Sequence, residues 1–234
     1  MFYRRPRSLG RLAGLLLLVG LVACSASAIS RDLPDPTLDA PKAGAHGDQV
    51  AVLAGGCFWG MQAVFEHVRG VRQVWAGYSG GGAATAHYDD VSDGNTGHAE
   101  SVKVEFDPSV VSYGQLLKVY FAVAHNPTEL NRQGPDTGTQ YRSEIFYTSV
   151  QQQQIANAYI AQLGTAKVFG DPIVTRVEPL KTFYPAENYH QDYARLHPDD
   201  AYIVINDAPK VVRLKQVFPA LYQPEQSVVG VQVH

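Results

Sequence analysis

The sequence predicts an α+β fold: a two-layer α/β sandwich with a mixed sheet and a ferredoxin-like core. Strand-like and helix-like segments interleave after residue 48, and a hairpin-like strand pair (71–78 and 98–106) sits among them, which argues against an all-parallel sheet. The 234 residues are 45% apolar and 18% charged, enough for a sizeable core and too apolar for disorder. No repeat of fixed period and no linker divides the chain after residue 48, so one domain over residues 49–206 is expected.

The elements follow from local pattern. Val50 to Ala54 is continuously apolar, as a strand buried on both faces would be. Met61, Val64, Phe65 and Val68 recur at helical spacing, with Gly70 as a stop. Val71 to Tyr78 reads as a second strand, and the Gly-, Asp- and Asn-rich stretch from Ser79 to Gly97 as a long loop. His98 to Phe106 alternates: Val102, Val104 and Phe106 share one face, Lys103 and Glu105 the other. Leu116, Val119, Tyr120 and Val123 mark a helix, followed by a polar loop from Asn126 to Arg142. Ile145–Thr148 is then a strand, Gln151–Leu163 a helix and Ile173–Val177 a strand. Residues 207–234 show no clear pattern and read as a C-terminal tail.

The N-terminus reads separately. Arg4, Arg5, Arg7 and Arg11 precede an apolar run, Leu12 to Ala23, too short to span roughly 30 Å of hydrocarbon comfortably but fitting a secretory signal over residues 1–23. Leu21-Val22-Ala23-Cys24-Ser25 resembles the lipobox of bacterial lipoproteins, in which the cysteine is acylated; an ordinary signal cut near Ala26 or Ala28 is the alternative. Arg4-Arg5 is only weakly similar to a twin-arginine signal, since Pro6 follows. Residues 24–48, rich in Ser, Pro, Asp, Gly and Ala, read as a flexible tether. The expected location is therefore exported and periplasmic, anchored by lipid at Cys24, with Ser25 compatible with the outer membrane.

Composition excludes several classes. Of 19 basic residues four lie in the leader, leaving 15 against 22 acidic ones, a net −7 that argues against nucleic acid as a partner. Two cysteines exclude a disulfide-rich scaffold, a four-cysteine zinc site or an iron–sulfur cluster. If Cys24 carries lipid, Cys57 is the sole thiol and no internal disulfide forms.

Gly55-Gly56-Cys57-Phe58-Trp59-Gly60 lies where a buried strand becomes a helix. Two glycines permit a sharp turn, and the cysteine lands at the positive end of the helix, where a thiol pKa falls below about 8.5 and the nucleophilic thiolate is favoured. A small buried core residue is the bland alternative. Phe58 and Trp59 beside the turn would wall an apolar pocket at the sulfur. Glu100 shares the parity of Val102, Val104 and Phe106, so it should face the apolar side. There a desolvated carboxyl stays protonated near neutrality and can donate a proton, unless it reaches water at the strand's end. His98-Ala99-Glu100 is no zinc deaminase site, because no cysteine follows Cys57; Gly80-Gly81-Gly82 lacks the Gly-Lys-Ser/Thr of a phosphate loop. The remaining histidines show no ligand spacing, so no metal is expected.

An ordered set of motifs now stands out: Gly56-Cys57-Phe58-Trp59-Gly60, Gly77-Tyr78-Ser79-Gly80-Gly81, Tyr88-Asp89-Asp90-Val91, Thr96-Gly97-His98-Ala99-Glu100, Gln133 to Ser143, and Phe183-Tyr184-Pro185-Ala186-Glu187-Asn188-Tyr189-His190. Together they resemble the A-class peptide methionine sulfoxide reductases over about residues 49–206. That resemblance implies Cys57 as the nucleophile attacking the sulfoxide sulfur and Glu100 as the acid protonating its oxygen. It implies Tyr88 and Tyr141 as hydroxyls bonded to that oxygen, Asp136 as a polar site residue, and Phe58 and Trp59 as walls for the substrate methyl. Preference for the S epimer is inherited in the same way. Many relatives carry resolving cysteines near the C-terminus, and some have one where this chain has Ser92; residues 206–234 contain none. A one-cysteine cycle is expected, with no bound cofactor and an external thiol, thioredoxin-like or small, as reductant of the Cys57 sulfenic acid. The substrates implied are oxidised proteins or free methionine sulfoxide. Two other readings stay open: a cysteine hydrolase forming an acyl-enzyme, which needs a histidine paired to the thiol, and a non-catalytic lipoprotein that binds exposed methionine.

Overall fold

The computed structural model describes Met1 and residues 33–42, 47 and 49–224. Residues 2–32, which hold nearly all of the expected signal and the expected anchor Cys24, lie outside the described residues.

In chain order the elements are β1 (Gln49–Gly55), α1 (Phe58–Glu66), β2 (Val71–Ser79), α2 (Tyr88–Ser92), β3 (Ala99–Phe106), α3 (Tyr113–Val119) and β4 (Arg132–Gln133). They continue with β5 (Asp136–Thr137), β6 (Ser143–Tyr147), α4 (Val150–Thr165), β7 (Arg176–Pro179), β8 (Phe183–Pro185), α5 (Tyr193–Leu196) and α6 (Ala208–Val217). Six strands form one mixed sheet in the order β7-β6-β1-β3-β2-β8, in which only β6 and β7 run parallel. Its centre, β6-β1-β3-β2 with α1 and α3 as crossovers, is the split βαβ arrangement of a ferredoxin-like core.

β1 is buried on both faces, which is why its sequence is apolar without alternation. Ala51 and Leu53 join the main core under the helices, while Val52 and Ala54 meet Ala99 and Phe146 on the other side. On β3, Val102, Val104 and Phe106 enter the main core as their parity predicts.

Several segments depart from the sequence expectation. The loop from Ser79 to Gly97 contains α2, and the polar loop from Asn126 to Arg142 contains the β4–β5 hairpin; both are too short to show a period. The strand expected at Ile173–Val177 lies at Arg176–Pro179, and β8 was not visible in the pattern. The stretch after Asn206 is no plain tail. It forms α6, which packs on α1 and buries Leu214 in the main core, and the chain returns as Arg69 N–H donates to the Leu221 carbonyl at 2.6 Å.

Residues 33–42 of the expected tether are likewise docked on the domain. Leu33 is 1% exposed within the main core, Tyr159 OH donates to the Pro34 carbonyl at 2.8 Å, and Lys118 pairs with Asp35 at 2.8 Å. Asp39 accepts the Gly114 N–H at 2.8 Å and the Ser112 hydroxyl, at the N-terminus of α3. Carboxylates at that end of a helix satisfy open N–H groups and meet the positive dipole. Such contacts need single residues, not a periodic pattern, so composition alone could not reveal them. Asp39→Ala is expected to cost about 1–2 kcal/mol of stability, read as a lower urea midpoint with unchanged slope.

Candidate active site

Cys57 sits at the junction of β1 and α1, as the N-cap of the helix that starts at Phe58. The turn requires its glycines. Gly56 has φ of 96°, and a Cβ there would stand 2.5 Å from Gln133 Cγ; a Cβ on Gly55 would stand 2.9 Å from the His125 ring. The residue is 8% exposed, neither open to solvent nor sealed, and the Trp59 backbone N–H acts on its sulfur from the first turn of the helix.

The thiol differs from the sequence expectation. Its pKa lies well above the ordinary value: burial is the main cause, and the nearby carboxylates of Glu100 and Asp207 add to it. The Trp59 N–H and the Lys210 charge pull the other way and lose. The magnitudes explain this, since a helix terminus contributes about 0.3–2 kcal/mol, whereas full burial moves a pKa by up to several units. At rest the sulfur carries its proton.

Glu100 behaves as its strand parity predicts. It is 3% exposed, and its Oε2 accepts the Phe58 backbone N–H at 3.0 Å, which ties it to the first turn of α1 beside Cys57. Burial pushes its pKa up to about 8, the Phe58 N–H opposes, and Asp136 and Asp207 add to the rise. Near neutrality the carboxyl is therefore mostly protonated.

Aromatic rings enclose the space around this pair. Phe58 is 1% exposed and lies 5.8 Å from the Tyr78 ring and 5.0 Å from His190, centroid to centroid. Trp59 stacks on Tyr193 at 3.8 Å, meets Tyr202 edge-on at 5.9 Å, and donates its indole N–H to His190 Nδ1 at 3.1 Å. That bond needs a neutral imidazole, and burial lowers the His190 pKa to about 4. Tyr88 opens α2, 4.3 Å from the His190 ring, with its backbone N–H donating to Glu187 Oε1 at 3.0 Å; Glu187 Oε2 accepts from Tyr78 OH at 2.9 Å. Tyr141 ends a short 3₁₀ turn after β5. Burial raises both the Tyr88 and Tyr141 phenols, and Glu100 and Cys57 act electrostatically on each in the same direction, so both stay protonated. Asp136, on β5, accepts the hydroxyl of Tyr202.

The structure thus brings together Cys57, Phe58, Trp59, Tyr88, Glu100, Asp136 and Tyr141. Sequence reasoning missed Tyr202, Asp207 and Lys210, because the C-terminal stretch carries no periodic signal. It also assigned nothing to His190 and Glu187, although both lie in a quoted motif.

A cysteine hydrolase would need a histidine on the sulfur. Among the described residues none hydrogen-bonds it, and the buried ones are engaged elsewhere. His125 contacts the Tyr120 carbonyl at 3.0 Å and Ser143 Oγ at 2.7 Å; His98 contacts Gly81 N–H at 3.2 Å and the Gly82 carbonyl at 3.0 Å. A lone thiol facing a protonated acid inside an aromatic enclosure, without an imidazole base, is the site of a thiol-dependent oxidoreductase. Residues 49–221 match the family model of peptide methionine sulfoxide reductase, and the chain belongs to that family.

Close relatives agree. The chain is 60% identical over 185 residues to peptide methionine sulfoxide reductase MsrA 2 of Mesorhizobium japonicum, covering 79% of this chain and 95% of the relative. It is 48% identical over 207 residues to MsrA 2 of Synechocystis, covering 88% and 96%. Among solved structures it is similar to methionine sulfoxide reductase A of Corynebacterium diphtheriae, with 35% identity, TM-score 0.56, and coverage of 71% and 84%. Reduced Mxr1 of Saccharomyces cerevisiae gives 32% identity and TM-score 0.59, covering 67% and 89%.

Proposed function

We propose that this enzyme reduces methionine S-sulfoxide, free or within proteins, to methionine, and so repairs oxidised proteins. The observation that carries the reading is Glu100, buried and protonated, tied through the Phe58 N–H to the helix turn that presents Cys57. A sulfoxide oxygen leaves poorly until it is protonated, and a neutral acid with two phenols, Tyr88 and Tyr141, addresses that step. Phe58 and Trp59 supply the apolar walls for the substrate methyl. Sγ attacks the sulfoxide sulfur, the oxygen passes to Cys57, and methionine leaves: Cys–SH and R₂SO become Cys–SOH and R₂S. A sulfenic acid is the first, reversible rung of cysteine oxidation.

Cys24 and Cys57 are the only cysteines, so no resolving thiol is available within the folded part. The cycle closes with an external thiol, thioredoxin-like or small, which forms a mixed disulfide with Cys57 and releases water before a second thiol frees it. Incubation with methionine sulfoxide and then a sulfenic-acid trap tests the reading. Label on Cys57 only after turnover supports it; an acyl adduct, or no change, opposes it.

The leader motif supports export, with a lipid on Cys24 holding the enzyme at a periplasmic membrane face. Intact mass of the protein made in a bacterial host is expected to start at Cys24 with diacylglycerol attached. A product that starts elsewhere without lipid would contradict the anchor.

A further inference from the structure

The stretch between Tyr202 and α6 brings into the site a charge that the steps above leave unused. Asp207 closes a π turn (Ile203–Asp207) and is 0% exposed. Its carboxylate lies against Gly60, in the first turn of α1, where any Cβ would collide with Oδ1 and stand 2.8 Å from Lys210 Nζ. Lys210, one turn along α6, donates to Oδ1 at 3.0 Å. The other oxygen, Oδ2, is buried with no hydrogen-bond partner. Buried polar atoms are almost always paired, and the exceptions call for an explanation such as a catalytic role.

The reaction itself has a vacancy for such a group. Sγ begins protonated and must lose its proton as it attacks, while the sulfoxide oxygen must gain one. Glu100, protonated near neutrality, can supply the second proton but cannot at the same time accept the first. Two carboxyl groups act on Cys57, Glu100 and Asp207, and only Asp207 has a cation beside it. The charged and titratable groups that face Asp207 are Lys210 from α6, Asp136 from β5, Glu100 from β3, Cys57 from the start of α1, and Tyr202 from the preceding segment. Burial raises the Asp207 pKa above the usual carboxylate range and Asp136 adds to the rise, which makes it a stronger base; Lys210 alone opposes.

We propose that Asp207, paired through Oδ1 with Lys210, takes up the Cys57 proton on its free Oδ2 while Glu100 delivers its own to the sulfoxide oxygen. This rests on the function proposed above. The S–H electron pair becomes the new bond to the sulfoxide sulfur and the proton goes to Oδ2. The S=O pair moves to oxygen, which takes the Glu100 proton. Collapse passes the hydroxyl to Sγ, so the substrate sulfur is reduced by two electrons and Cys57 is oxidised to the sulfenic acid. The two carboxyls have exchanged one proton, and the net charge of the site is unchanged. Opposed environments divide the acid and base roles.

Single-turnover formation of methionine and Cys57 sulfenic acid, followed against pH, tests this. In wild type the rate falls at low pH as Asp207 takes up its proton early and at high pH as Glu100 ionises. Asp207→Asn, isosteric and still able to accept from Lys210, is expected to slow the step by about 10- to 100-fold and to abolish the acid limb. Added formate, a small base, is expected to restore rate in Asp207→Ala, where the shortened side chain leaves room for it, and to leave wild type unchanged. Should Asp207→Asn fail to fold, Lys210→Gln keeps the carboxylate but removes its cation, and the acid limb is expected to move up by about one pH unit or more. An Asp207→Asn rate within threefold of wild type at every pH overturns the proposal. So does a slow Asp207→Asn with an unchanged pH profile together with an Asp207→Ala that does not respond to formate, which marks a structural role. If wild type itself forms no sulfenic acid, the proposed function has failed instead.

Discussion

Cys57→Ser is expected to abolish methionine sulfoxide reduction, with a loss of at least about 10⁴-fold set by the detection limit. The hydroxyl fits the same N-cap position, so the fold and the aromatic enclosure persist and substrate still binds. What disappears is a polarisable sulfur that can accept oxygen and later return it to a thiol. No second cysteine within the described residues can substitute, since Cys57 is the only one there. Residual activity within tenfold of wild type in purified protein would place the chemistry elsewhere.

Glu100→Gln is expected to slow the formation of sulfenic acid by about 10²- to 10⁴-fold at neutral pH. The amide keeps the shape and can still accept the Phe58 N–H, so the site's geometry is retained while its transferable proton is lost. Wild type needs the protonated carboxyl, so its rate is expected to fall about tenfold per unit as pH rises beyond about 8. The variant lacks that limb. The same group affects stability with a definite sign. Its folded pKa, about 8, lies above the usual carboxylate value, so its contribution is full below about pH 4.3 and is lost as pH rises through 8. Glu100→Gln is therefore expected to be more stable than wild type at pH 9, by the order of a few kcal/mol, although slower at neutral pH. A single-turnover rate equal to wild type at pH 7 would remove Glu100 from the proton-donating role.

Much of this site was legible from residues alone, for reasons that differ from one residue to the next. Val50 to Ala54 reads as a doubly buried strand because its apolar run has no polar alternate, and β1 indeed feeds both cores. Glu100 was found by parity, which is a rigid rule on a strand. Gly55 and Gly56 announced a turn, and the structure supplies its causes in a positive φ and two close approaches.

Other features had no local signature. α6 presents a single fully buried apolar side chain, Leu214, whereas Val204 and Ile205 just before it are 52% and 70% exposed, so hydrophobic period misleads there. Asp207 and Lys210 consequently reach the site unannounced. The described part of the expected tether holds by Leu33 and Asp39, single contacts that any low-complexity reading would average away. The direction of the Cys57 shift was misjudged for a related reason. A helix terminus is visible in sequence, but the burial and the two carboxylates that outweigh it exist only after folding.

The central claim is that Glu100 is un-ionised at neutral pH in the resting enzyme, opposite the Cys57 thiol. Infrared difference spectra of wild type against Glu100→Gln across pH measure this directly. The account predicts a protonated-carboxyl C=O band at pH 7 that disappears with a midpoint near 8. A carboxyl already ionised at pH 6 would contradict it.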